Sequence, residues 1–181
     1  MMDPMYQDFK NDQIQEYNEK DGSLKVRIIA GETHGVKGRV NPHSKSLFYD
    51  VHVGPGQEFR TDIPNGYEGF IFVYKGKNLT FGENGQTTLG FEQTTLFRTE
   101  GGNKLIVKAS DNGGEAKFIV AAGFPNNEPI KQHGPFVMNT ENELAATFED
   151  YENYRNGFEP RRNWRSKIRR MSEDIQFRPE I

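Results

Sequence analysis

The chain of 181 residues has no cysteine and a formal net charge of −3, which excludes disulfides, thiolate metal ligands and thiol catalysis and gives no electrostatic ground for a nucleic-acid or membrane partner. Only 34% of it is hydrophobic, yet 14 Phe and 7 Tyr stand in alternating runs, which predicts a folded domain with a core of moderate size. No run is long enough to span a bilayer, and the polar start "MMDPMYQDFKNDQ" has no apolar stretch of the signal-peptide kind, so the expectation is an intracellular protein, cytoplasmic or nuclear.

Residues 1–22 read as a polar lead-in that ends at Asp21-Gly22. In "SLKVRIIAG", Leu24, Val26 and Ile28 share one face and Arg27 takes the other, a half-buried strand pattern. "GETHGVKG" is a glycine-punctuated loop. "SLFYDVHVGPG" sets Leu47, Tyr49, Val51 and Val53 against Phe48, Asp50 and His52, a second such strand. "GQEFRTDIPNGYEGFIFVYKG" reads as a β-hairpin about Pro64-Asn65-Gly66, with Tyr67 to Tyr74 as its second arm. Shorter strands are predicted at Leu79–Phe81, Thr87–Leu89, Thr94–Arg98, Leu105–Ala109 and Phe118–Ala122, with turns at Asn84-Gly85 and Asn112-Gly113. Many short strands at regular spacing predict a mostly β sandwich or barrel.

The pattern changes after Gly123. "FPNNEPIKQHGPFVMNT" contains three prolines and is expected to be irregular. "NTENELAATFEDYENY" then takes a helical period, with Leu144, Phe148 and Tyr151 on one face and a T-x-x-E capping box at Thr140 and Glu143. Asn156-Gly157 is the expected stop. The predicted organisation is a lead-in over 1–22, a β domain over 23–138, a helical segment over 139–170 and a flexible tail over 171–181.

The chemistry-bearing residues do not form a site at sequence level. His34, His43, His52 and His133 show neither H-x-H nor H-x-x-x-H spacing, and Gly31, Gly35 and Gly38 are not followed by the G-K-S/T of a phosphate loop. Asp50, Asp62 and Glu68 could supply paired carboxylates, but exposed carboxylates are common. Arg155 precedes a basic stretch formed by Arg161, Arg162, Arg165, Lys167, Arg169 and Arg170. Its favoured reading is a solvated helix face with Trp164 and Ile168 as buried anchors, so nucleic-acid contact through it is disfavoured.

The spacing Gly56, Asp62, Pro64, Glu68 resembles the first cupin motif, G-x5-H-x-H-x3-E, with an aspartate and a proline where the two histidines belong. "GGNKLIVK" has no histidine for the second motif. Downstream, "EPIKQHGPFVMNTENEL" and "NGFEPRRNWRSKI" resemble the pirin family, as do "YQDF" and "VRIIAGETHGVKG", so the resemblance covers about residues 4 to 168. It implies a cupin-type β-barrel, a jelly roll, with C-terminal helices. Pirins are bicupins whose N-terminal barrel holds iron, and this chain is similar to the C-terminal barrel alone. No iron ligand carries over, and no cofactor is expected. The family's implied activities are quercetin dioxygenase chemistry at the iron and nuclear co-regulation of transcription, both leaning on the iron-bearing half.

The expectation for function is therefore a metal-free interaction module, with a role in transcriptional co-regulation, that docks on a protein partner or on itself through Phe136, Val137, Met138 and the Leu144, Phe148, Tyr151 helix face. Two enzymatic alternatives stand beside it. One is a metal held by His52, Asp62 and Glu68. The other is an iron-dependent quercetin dioxygenase whose metal-binding half comes from an upstream segment or a partner.

Overall fold

In the computed structural model, which describes residues 5–82, 85, 87–99 and 103–166, the chain divides between Pro125 and Asn126 into two units. The first unit runs through β1 (Gln15–Asn18), β2 (Leu24–Ala30), the short pair β3 (Glu32–Thr33) and β4 (Val36–Lys37), β5 (Ser46–Val53), β6 (Glu58–Asp62) and β7 (Glu68–Lys75). It continues with β8 (Leu79–Phe81), β9 (Thr87–Leu89), β10 (Thr94–Arg98), β11 (Lys104–Lys108) and β12 (Ala116–Gly123). A six-stranded antiparallel sheet has the order β1-β2-β5-β12-β7-β10, and a four-stranded sheet has the order β6-β11-β8-β9. This is the jelly-roll architecture that the resemblance implies.

Strict two-residue alternation builds the interior. Val26, Ile28, Val51, Val53, Ile71, Val73, Phe118 and Val120 point inward from the larger sheet and are essentially inaccessible. Phe59 and Val107 meet them from the smaller sheet. The Phe59 ring approaches Tyr49 at 6.4 Å and Phe118 at 6.0 Å, both edge-on, which ties the layers together at a geometry aromatic rings favour. Gly31, at φ +85, leaves room for Leu47 and the Tyr49 hydroxyl, which donates to the Glu32 carbonyl at 2.8 Å.

Two sequence expectations about this unit change. The stretch from Gly56 to Gly76 is not a hairpin: β6 pairs with β11, while β7 pairs with β12 and β10. The turn at Pro64-Asn65-Gly66 carries the chain from one sheet to the other. Turn residues specify reversal, and the pairing partners are chosen by burial across the sandwich. The lead-in also contains a strand, β1, whose sequence "QEYN" has no apolar pattern. It forms by pairing with the edge of β2, helped by Glu16 contacts to Lys25 at 2.9 Å and to Arg27 at 3.5 Å.

In the second unit, the segment expected to be irregular forms a hairpin of β13 (Lys131–His133) and β14 (Phe136–Met138). The β domain therefore stops at Pro125, short of 138. Gly134, at φ +56, and Pro135 supply the tight two-residue connection. The helix α1 (Glu141–Asn153) starts as its capping box requires: Thr140 Oγ1 accepts from the Glu143 N–H at 3.2 Å, and Glu143 Oε2 accepts from the Thr140 N–H at 2.9 Å. It stops two residues before Asn156, at Tyr154, which is itself left-handed at φ 56 and ψ 51.

Candidate functional site

The cupin-like spacing can be tested directly on β6. Along it and just beyond, Phe59, Thr61 and Ile63 are buried, whereas Arg60, Asp62 and Pro64 are exposed. The alternation is therefore one residue out of phase with the sequence alignment. Asp62 and Pro64 do not face the interior, and Glu68 points outward, paired with Arg98 at 3.2 Å. The inward positions hold Thr61, Ile63 and Tyr67. They offer hydroxyl and aliphatic groups, with no imidazole or carboxylate. Among the described residues no three His, Asp or Glu side chains converge, so the residues present do not fit an iron site. Gly56 keeps a structural role: it sits at φ +71 against the Asp111 side chain.

In place of ligands, the mouth of the sandwich holds a chain of hydroxyls. Thr61 Oγ1 and Thr33 Oγ1 are 2.7 Å apart and buried, and Thr33 Oγ1 lies 2.9 Å from His34 Nδ1. The His34 ring is stacked between Tyr17 at 4.5 Å and Phe59 at 5.8 Å. This desolvation holds its pKa below the usual histidine value, with the Glu19 charge opposing. A cavity of about 400 Å³ opens here, with Glu32, Arg60 and Asp62 on its rim. A buried hydroxyl pair and one neutral imidazole can orient a polar ligand, but they supply no activated nucleophile.

The other proposed metal set is not assembled. His52 lies on the outer face of the large sheet, 3.1 Å from the Tyr74 hydroxyl, which donates to Asp50 at 2.6 Å. Burial, then the bond to Asp50, pushes the Tyr74 phenol well above its ordinary pKa, and burial lowers that of His52. Glu68 pairs in register with Gly123, which faces Ser46, six residues from His52 and so about 20 Å away along β5. His43 joins no such cluster among the described residues, and His133 packs on Phe148 at 4.8 Å.

The residues expected to form a docking face separate into two classes. Phe136 meets Phe148 at 5.1 Å, Tyr151 at 5.4 Å and Phe158 at 5.8 Å, all edge-on. Arg161 lies 3.8 Å over the Tyr151 ring. Leu144 is buried, Met138 is half-buried, and only Val137 is freely exposed. This is a small aromatic core. Of the basic stretch, Arg161 and Arg162 lie in a short 3₁₀ turn, and Arg165 bonds the Trp164 carbonyl. Trp164 is 68% exposed and is not the expected buried anchor. Lys167, Ile168, Arg169, Arg170 and the segment 171–181 lie outside the described residues.

The open apolar surface is elsewhere. On the outer face of the large sheet, cross-strand register lines up Phe48, Ala121, Phe70 and Leu96 over four adjacent strands. Phe48 is 37%, Phe70 40% and Leu96 81% exposed. A groove of about 710 Å³ runs beside Phe70 and Leu96, bounded by Glu68 and Arg98. The sequence did carry this signal. "GFIFVY" is apolar on both faces, as a strand covered on both sides would be, and Phe48 interrupts a polar face.

Residues 48–157 match the family model of the pirin C-terminal cupin domain. A pirin-like protein of Arabidopsis thaliana is 38% identical over 169 residues, covering 92% of this chain and 54% of the relative. Pirin of Homo sapiens is 34% identical over 168 residues, covering 93% of this chain and 56% of the relative. Among solved structures, a quercetin 2,3-dioxygenase from Acinetobacter baumannii superposes with a TM-score of 0.74 at 27% identity, covering 83% of this chain and 50% of that one. The chain spans about half the length of the curated relatives it matches.

Proposed function

The chain belongs to the pirin family, and on that premise we propose that it serves as a non-catalytic recognition domain, docking through the outer face of its large sheet onto a folded cupin-type half. The observation that carries this reading is the exposed row Phe48, Phe70 and Leu96 on the outer face of the large sheet. The inward positions Thr61 and Ile63 support a role without bound iron. Dioxygenase chemistry and transcriptional co-regulation belong in this reading to an assembly that supplies the metal from the other half, with this domain as its scaffold.

The energetics set the scale of the partner. An apolar patch of about 400 Å² is worth roughly 10 kcal/mol at 25 cal/mol per Å². Loss of translational and rotational freedom opposes it by about 4–15 kcal/mol. The row alone is thus marginal, and a stable complex needs polar contacts around it or a tether that raises the effective concentration.

Sedimentation of this chain mixed with the unmatched half of the Arabidopsis relative tests the reading, with that relative's own C-terminal half as positive control and competitor. Co-sedimentation that Phe70→Ser abolishes is the expected result. Independent sedimentation at tens of micromolar, where the control pair associates, refutes it.

A further inference from the structure

The outer face of the large sheet has a polar half beside its apolar row. Phe48, Asp50 and His52 alternate outward along β5, and cross-strand register sets Arg27, Asp50, Ile119 and Phe72 in one row and Lys25, His52 and Lys117 in the next. Ile119 and Phe72 are half-buried and carry the apolar surface from the Phe48 row toward the His52 row. At about 3.4 Å per residue, His52 lies about 14 Å along β5 from Phe48. A standard interface covers about 800 Å² of each partner, a disc roughly 16 Å in radius. A partner centred on the row from Phe48 to Leu96 therefore reaches His52.

The charges around the ring offer such a partner little, because each is already matched within the chain. Lys25 pairs with Glu16 at 2.9 Å, and Arg27 lies 3.5 Å from both Glu16 and Asp50. Lys117 and Lys75 share Glu115. The hydrogens at the centre are committed too. Tyr74 has one, and it goes to the Asp50 carboxylate at 2.6 Å. The Tyr74 oxygen, 3.1 Å from His52 Nε2, can then only accept, so Nε2 carries the hydrogen of the neutral imidazole. Nδ1 is left as a bare acceptor with no partner among the described residues. It is open to solvent, since no buried side-chain nitrogen or oxygen among those residues lacks a partner.

Resting on the docking reading above, we propose that His52 is an acid-release switch for this face: the docked half donates a neutral N–H or O–H to Nδ1, and protonation of Nδ1 expels it. The proton removes the acceptor. It also sets a third cation between Lys25 and Lys117, which stand directly opposite His52 on either side, with Cβ atoms about 4.5–5.5 Å away. The same two lysines disfavour an ammonium or guanidinium as the donor and leave a hydroxyl, an amide or a backbone N–H. Burial already holds the His52 pKa below its ordinary value, with Asp50 and Glu115 opposing and Lys117 and Lys25 adding to it. Covering the ring lowers it further. Docking in the acid range thus releases a proton, and affinity falls as pH falls.

The test is docking of the full chain to the unmatched half of the Arabidopsis relative, followed from pH 8 to pH 5.5. The dissociation constant is expected to be flat at the alkaline end and to rise toward about tenfold per pH unit once His52 titrates, one proton leaving per complex. His52→Gln takes no proton and has no acceptor at the δ position, so it docks about tenfold more weakly at pH 8 and loses the slope. His52→Asn restores an oxygen at that position, so it keeps the affinity at pH 8 and also loses the slope. Nitrogen-15 shifts of the unmodified chain alone need no variant and are expected to show hydrogen on Nε2 and none on Nδ1 at pH 8. Absence of docking at pH 8 removes the docking reading and this inference with it. Docking that does not weaken with acid, a slope unchanged by His52→Gln, equal weakening by Gln and Asn, or hydrogen on Nδ1 at pH 8 overturns this inference alone.

Discussion

The two units of this chain treat their aromatic residues in opposite ways. In the helical unit, Phe136, Phe148, Tyr151 and Phe158 contact one another edge-on at 5.1 to 5.8 Å, so each ring has neighbours although none is fully buried. In the sheet unit, Tyr49, Phe59 and Phe118 form the interior, whereas Phe48 and Phe70 stand outside it with no ring contact among the described residues. Aromatic content alone therefore does not mark an interface. A ring whose neighbours come from its own unit is core, however small. A row on the outer face of a sheet that keeps 37–81% of its side chains exposed among the described residues is surface.

The largest effect that separates the two classes lies within the sheet unit. Phe118→Ala opens a cavity between the sheets and is expected to lower stability by about 3–5 kcal/mol. Phe70→Ala, on the neighbouring strand but facing outward, is expected to change it by about 0.5 kcal/mol or less. Urea denaturation followed by tryptophan-independent far-UV signal measures both. A loss of several kcal/mol for Phe70→Ala would make the outer row part of the core and remove the ground for docking there.

The helical unit gives the next effect. Phe136→Ala breaks three edge-on contacts, each worth about 0.5–1.5 kcal/mol, and is expected to cost about 2 kcal/mol. Its neighbour Val137, facing the other way, is expected to tolerate Ser with little loss. Hydrogen exchange should show faster opening of the β13–β14 and α1 amides in Phe136→Ala, with β12 amides unaffected. Uniform tolerance at Phe136 would return it to the class of docking residues.

These distinctions were partly legible in the sequence. The strands at Leu79–Phe81, Thr87–Leu89 and Thr94–Arg98 and the Thr140–Glu143 cap follow from local pattern, because alternation and capping are local properties. Sheet membership was not legible. Nothing within residues 56–76 says that its two arms join different sheets, since that choice depends on what Phe59 and Ile71 bury against far along the chain. The site suffered from the same limit. Asp62, Pro64 and Glu68 satisfy a spacing, yet facing is set by the phase of alternation, and Phe59, Thr61 and Ile63 fix that phase one residue away. The partnership of Thr33 with Thr61, 28 residues apart, has no local signal at all.

A smaller effect comes from that partnership. Thr61→Val keeps the shape of the side chain and removes its hydroxyl, leaving Thr33 with His34 as its hydrogen-bond partner. The expected loss is about 1 kcal/mol. A neutral result for Thr61→Val together with a clear loss for Thr33→Val would show that the hydroxyl chain is organised by His34 and not by the buried pair.

The smallest effect is the pH dependence that the stacked imidazole imposes. Burial lowers the pKa of His34 and of His52 in the folded chain, so the folded state binds fewer protons than the unfolded one. Stability is then fully present above the unfolded histidine pKa of about 6.5 and declines as pH falls through the lowered folded values. Glu16 and Glu115 behave differently. Lysine hydrogen bonds hold their carboxyl groups below the ordinary value of 4.5, so their contribution is lost only in a more acidic window. Urea midpoints measured at pH 8 and pH 5.5 therefore isolate the histidines. His34→Gln flattens part of that slope and His52→Gln the rest, because neither glutamine takes a proton. A slope that survives both substitutions would place the titrating group elsewhere, and a slope of opposite sign would mean that the Tyr17 and Phe59 faces stabilise the imidazolium more than burial disfavours it.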